Sequence, residues 1–554
     1  MRGGEILRSK IDIPWESLEP GPKGSRVHVI DYDTTTGYLV KSEDLQWDDD
    51  PMLSISDKEL LDNPQYHSLN VYVITMSILA RFESALGRRV GWAFEDPQLK
   101  IAPHAFADAN AYYSKDNQAL LFGYIPERKP IFTCLSFDIV AHETSHALVD
   151  ALRPNYMRPS SADPIAFHEG FADIVALLSV LSQQSIIEHA LTVQRDKGRG
   201  TPSLRARLIP EENLTEEALK DSILFGVAEE FGKSMNKARG DVLRRSIKLK
   251  PSVEYLDAPE YQEPHHRGEI LVSAVMNAYL EMWLERIKPL KEGRKLVDRE
   301  RVVEEGVGAA QHLCTMVIRA LDYVPPIDLK FQEYLVGLLT ADSELYPDDR
   351  YNYREVIERC FAAFGMGLSC HAIDSTLLDG LQWRKSEDRF CYDNVHFDAL
   401  QTDKSEAWRF IWDNRKELFY HKQSNSFPHT AVVSVRPLVR LNVDGFTVRE
   451  TIIEYIQRIE LRTNELPTIG INKPESLVNY KRPFPVRLKG GGLIILNEYG
   501  RVKFHIRSDI RDNEKQEEML AYGWRQAGGD PQKMMTLERA AVRFSSLHLN
   551  KMTM

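Results

Sequence analysis

The stretch FDIVAHETSHALVDALRP, residues 137–154, sets His142 and His146 four positions apart with Glu143 beside the first. Ser136 is a helix-capping residue type, Asp138 falls in the first turn where the helix dipole favours an anion, and Pro154 blocks continuation. One helix is therefore predicted. Its 3.6-residue period puts both imidazoles on one face and turns Glu143 about 100° away. Two imidazoles at i and i+4 can take adjacent positions on a tetrahedral Zn²⁺, while the glutamate can accept a proton from water at the metal.

A second segment, SADPIAFHEGFADIVALLSV at 161–180, supplies what such a centre still needs. Asp163 is predicted as its N-cap with Pro164 at the first helical position, and Glu169 and Asp173 then share a face. Glu169 can be the third protein ligand, and Asp173 can accept a hydrogen bond from a zinc-bound histidine. The apolar residues around both acids argue against a solvated surface helix. His168 lies off that face and reads as a structural histidine rather than a ligand.

The rest of the chain bounds the reading. At 554 residues and 43% hydrophobic it can hold several cores. With 81 acidic against 70 basic residues and a net charge of −11, non-specific attraction to nucleic acid or anionic membranes is disfavoured. No apolar signal core opens the chain, and no later stretch approaches the roughly 18 apolar residues of a membrane span, so a cytoplasmic chain with no membrane partner is expected. Five cysteines without CxxC spacing suggest neither a disulfide framework nor a cysteine zinc cage. Three regimes follow a tail at 1–25: an α+β lobe over 26–135, a helical lobe over 136–380, and an α+β module over 390–554. In that module GLIILNEYGRVKFHI reads as a hairpin around an Asn-and-Gly turn. KGGGLII lacks the ending of a phosphate-binding loop, and the short basic runs VKFHIRS and LRRSIKLK read as solvated faces.

HETSH followed by EGFAD resembles the thermolysin-like gluzincin metallopeptidases, whose pattern is a HExxH helix followed by a Glu-x-x-x-Asp helix. The resemblance covers roughly residues 100 to 290. It implies an α+β fold with a zinc cleft between two lobes, one zinc per chain held by His142, His146 and Glu169, and Glu143 as general base. ANAYYSKDNQALLFG looks like the family's substrate-binding edge strand, which would make Asn110, Ala111 and Tyr112 contacts to a peptide or protein backbone. EPHHRGEILVSAVMNAYL resembles the segment that carries an oxyanion-stabilising histidine; His265 and His266 both qualify, with His265 favoured. Tyr156, on a loop of different length, is an alternative donor. Asp138 matches a family calcium ligand, but the acidic partner expected in the second helix falls near Val180, so no double calcium site is expected. The aminopeptidase motif Gly-x-Met-Glu-Asn is absent, which favours an endopeptidase. A peptide-trimming zinc exopeptidase and a non-catalytic zinc scaffold are the alternatives. The C-terminal module would limit access to the cleft, select substrates or serve only to stabilise the fold, and oligomeric state is not indicated.

Overall fold

The run SLNVYVITMSILARFESAL forms most of helix α1 (Pro64–Leu86), whose first turn Asn63 caps by accepting from the Gln65 N–H. Gly87 ends it in the left-handed region, where a Cβ would lie 2.5 Å from the Val439 carbonyl oxygen. In this computed structural model the described residues are 9–41, 55–126, 130–158, 160–193, 207–221, 246–368, 378–379, 382–383, 385, 390–419, 428–441, 447–537 and 544. Against α1 lies a mixed sheet of β1 (Val27–Val29), β2 (Leu99–Phe106), β3 (Ala111–Ser114), β4 (Ala119–Ile125) and β5 (Ile131–Phe132). Its order is β1-β2-β4-β3, with β5 also paired to β4. β3 runs antiparallel to β4, from Ala111 opposite Phe122 to Ser114 opposite Ala119, and forms the edge of the sheet.

The helical region contains α2 (Phe137–Leu152), α3 (Asp163–Leu181), α4 (Pro264–Lys291), α5 (Arg299–Arg319) and α6 (Phe331–Leu345). α3 packs against α2, α4 and α5. Two expected caps are corrected. Ser136 precedes α2 without a side-chain cap, because its hydroxyl is turned to Asp138. Asp163 stands inside the first turn of α3, and Ala162 is the N-cap; the Asp163 carboxylate instead accepts from the Arg267 guanidinium and the Phe331 N–H, 3.1 Å away. By length and composition α1 and α3 are each apolar enough to cross a membrane, which corrects the expectation that no stretch comes near that limit. Both are core helices, with 94% of the apolar window of α3 buried.

The chain beyond 390 is also mixed. Helix α7 (Lys404–Asp413) precedes four strands, β6 (His429–Leu441), β7 (Thr447–Arg462), β8 (Pro485–Asn497) and β9 (Val502–Ser508), paired antiparallel in sequence order. The β8–β9 turn is the one read from sequence: Asn497 Oδ1 accepts from the Tyr499 and Arg501 N–H groups, and Gly500 is left-handed. Side chains alternate between two cores. Ile452, Leu493, Ile495 and Phe504 join the core of the helical region, while Ile453, Ile494 and Leu496 pack with Phe410 and Ile411 of α7. Burial on both faces explains why GLIIL is apolar without alternation.

Buried charges cross the same contact. Arg88 holds Asp322 with two hydrogen bonds of 2.6 and 2.7 Å, and Arg440 of β6 joins them, also donating to Glu450 at 3.1 Å. Burial opposes ionisation of Asp322, but Arg88 and Arg440 hold its carboxyl far below the usual range. Among the described residues Cys134, Cys314, Cys360 and Cys391 are free thiols.

Candidate metal centre

Within α2 the four-residue spacing brings His142 and His146 side by side, their ring centroids 4.4 Å apart. α3 lays Glu169 across them: His142 Nε2 is 3.6 Å from Oε2 and His146 Nε2 is 3.6 Å from Oε1. One donor atom from each of the three residues lies within 4.8 Å of the others, and all three residues are buried. Ligands about 2.0–2.2 Å from a tetrahedral metal stand about 3.3–3.6 Å apart, so each histidine lies at a distance from Glu169 that a shared ion could span. Two nitrogens and a carboxylate make a three-donor set that leaves a position open on a tetrahedral ion. Burial lowers His146 to about 4, so its imidazole is neutral at neutral pH, the form a metal requires. Burial works against ionisation of Glu169 as well, but the facing His265 and His146 rings hold its carboxyl well below the usual range.

Each group is fixed by a neighbour. His142 Nδ1 meets Asp173 Oδ1 at 2.7 Å, the orienting contact expected for a ligand imidazole. His146 Nδ1 meets His168 Nδ1 at 2.9 Å, so His168, structural by sequence, orients the second ligand. Glu143 accepts at 3.0 Å from the backbone N–H of Tyr113 in β3. The candidate base thus stands between the metal ligands and the edge strand. Tyr113 is itself anchored, its hydroxyl 3.1 Å from Asp150, one turn beyond His146 on α2.

The two candidate histidines of α4 part company. His265 Nε2 points at Glu169 Oε2 from 3.4 Å, and its Nδ1 meets Glu263 Oε1 at 2.7 Å. His266 is turned outward with 41% of its side chain exposed. Glu263 caps α4 by accepting from the His266 N–H at 2.9 Å. Burial would raise it, yet the hydrogen bond and charge of His265 bring Glu263 down to about 2. A glycine pair lets α4 approach this closely: a Cβ on Gly170 would meet the Gly268 carbonyl oxygen at 2.8 Å, and one on Gly268 the Ala166 carbonyl oxygen at 2.9 Å. Sequence reading missed Glu263 and both glycines. An acid two residues before a histidine and a glycine beside a ligand were the only local signals.

The other predicted residues take these places. Ala111 and Tyr112 lie in β3, Tyr112 stacked on Phe106 at 5.6 Å, and the Asn110 carbonyl accepts from Gly123 N–H at 2.8 Å. Tyr156 is fully buried and donates to the Pro325 carbonyl at 2.6 Å, so the structure engages its hydroxyl with backbone rather than with the ligand cluster.

A second buried group, His67, His104 and Cys134, also has clustered donor atoms. Here His67 Nδ1 and His104 Nε2 are 2.7 Å apart, a hydrogen bond and well short of the spacing between two zinc ligands. The outer nitrogens engage the Leu61 carbonyl at 2.9 Å and Asp31 at 2.8 Å, completing a chain. Burial and the charge on His104 lower His67 to about 4, as suits a neutral link in that chain. Comparison with known proteins finds no protein-family model and no curated protein that matches this chain.

Proposed function

We propose that the chain is a zinc-dependent endopeptidase of thermolysin-like architecture, with its cleft between the α+β lobe and the helical lobe. The observation that carries this reading is the juxtaposition of the His142, His146 and Glu169 donor set with a glutamate pinned to an edge strand. Zinc held by those three residues would supply Lewis acidity, polarising a scissile carbonyl and acidifying water at the site. Glu143 accepts the proton of the attacking water and later delivers it to the leaving amine. The edge of β3 pairs with an extended peptide through backbone hydrogen bonds, which grips substrate with little dependence on its sequence. His265 donates from Nε2 to the oxyanion, while Nδ1 stays on Glu263.

Replacing only the proton acceptor separates metal binding from chemistry. Glu143→Gln is expected to retain about one zinc per chain and to lose nearly all hydrolysis, whereas His146→Ala loses both. Metal analysis and digestion of an unfolded protein, with products read by mass spectrometry, check this; internal cuts identify an endopeptidase and end-trimming an exopeptidase. Wild-type protein prepared with ample zinc yet free of metal would overturn the assignment.

A further inference from the structure

The run KGGGLII lies within β8 rather than in a loop, and its Lys489 stands directly opposite Arg458 of β7. Residues two apart on a strand share a face, so the next pair on that face is Glu460 with Arg487. There the signs are opposite, and Arg487 Nε donates to Glu460 Oε1 at 2.9 Å. At Arg458 and Lys489 the signs are the same, an arrangement that destabilises a sheet. Toward the other end of both strands this face carries the facing pair Ile452 and Ile495 into the core. At Arg458 it instead walls a cavity of about 250 Å³, closed on the opposite side by the loop that joins α2 to α3. Arg158 of that loop adds a fourth cation to Arg458, Arg487 and Lys489, and among the described residues no carboxylate lines the space. Neither Arg158 nor Arg458 has an ion-pair partner among the described residues. The acid that touches the loop side, Asp328, accepts from the Ser160 hydroxyl at 2.6 Å and faces Lys515 at 3.9 Å.

We propose that this cavity binds a small molecule bearing a diphosphate group. The inference is independent of the hydrolase reading. Guanidinium forks match pairs of phosphate oxygens, and cations gathered around a concave wall reinforce one another's field. Four cations less the charge of Glu460 leave three to be met. A single phosphate ester carries only about −1.5 to −2 at neutral pH, so one phosphoryl group leaves part of that charge unanswered and two answer it. The volume lies just below the roughly 300–1,000 Å³ of sites for drug-sized ligands, which suits a compact molecule. A nucleic-acid strand is disfavoured by that size and by the net charge of −11 on the whole chain.

The probe is inorganic pyrophosphate, titrated into the full chain by calorimetry at low ionic strength. Binding at one site per chain is expected, tighter than that of orthophosphate, together with a melting temperature that rises as pyrophosphate is added. Arg458→Ala and Lys489→Ala should each weaken binding by about tenfold or more, the usual loss for one charge-assisted hydrogen bond. Lys288→Ala, at an exposed position outside the cavity, should leave binding unchanged. Arg458→Lys keeps the charge without the fork and should bind with intermediate affinity. Because two facing cations oppose each other in the empty protein, Arg458→Ala should melt no lower than wild type when pyrophosphate is absent, which a merely structural arginine would not do. Absence of binding at millimolar pyrophosphate would overturn the proposal. So would equal binding by wild type and all the cavity variants, as expected if the probe only coordinated a metal at His142, His146 and Glu169, and so would a short oligonucleotide that displaces pyrophosphate from the same residues.

Discussion

At the scale of single residues, neighbouring histidines were given different tasks by what surrounds them. His265 is 6% exposed between Glu263 and Glu169, while His266 faces outward from the same turn. His265→Ala is therefore expected to lower kcat by roughly 10² to 10³ with zinc content unchanged, the usual loss for one oxyanion donor, and His266→Ala to be nearly silent. Glu263→Gln should fall between them, since it keeps a partner at Nδ1 but removes the carboxylate that holds the ring. Equal small effects at positions 265 and 266 would remove the oxyanion role from His265.

Between elements, the decisive contact is the crossing of α3 and α4. Gly170 and Gly268 bring two helix backbones together where any Cβ would collide with a carbonyl, so the helices must separate to accept one. Overpacking of this kind costs about 1–3 kcal/mol. Gly268→Ala is expected to lower the melting temperature and, by moving His265 away from Glu169, to reduce kcat more than it changes KM. Gly91→Ala is the control, because an added Cβ there meets nothing within 4 Å. A Gly268→Ala enzyme with unchanged kcat would show that the separation of these helices does not set the oxyanion contact.

For the whole molecule, the sheet of β6 to β9 is built into the fold rather than appended to it. Ile452, Leu493, Ile495 and Phe504 belong to the core that holds the metal helices, and Arg153 at the end of α2 reaches Glu454 of β7 at 3.4 Å. Exposing several such side chains at about 1.5–3 kcal/mol each would consume much of the 5–15 kcal/mol that stabilises a typical domain. Loss of Arg440 also removes one of the cations on buried Asp322, and breaking a buried ion pair costs about 3–5 kcal/mol. A chain ending near residue 385 is accordingly expected not to fold, as read by proteolytic sensitivity and lost zinc. A soluble, zinc-loaded truncation would return the sheet to the role of a removable module that limits access.

The sequence by itself determined what short-range geometry dictates. Helical periodicity makes His142 and His146 neighbours and sets Glu169 one turn from Asp173, and an Asn-and-Gly turn closes β8 onto β9, because residues three to five apart have few backbone arrangements open to them. The alternating regimes of the chain likewise announced a mixed α and β fold. Only the tertiary structure decided which of two adjacent histidines faces Glu169, that Glu263 and His168 orient the rings, that Tyr156 turns to Pro325, and that Phe544 reaches His146 across the chain. Those outcomes depend on how buried surfaces pack and where each buried polar group finds a partner, and neither is encoded in the spacing of residues along one segment.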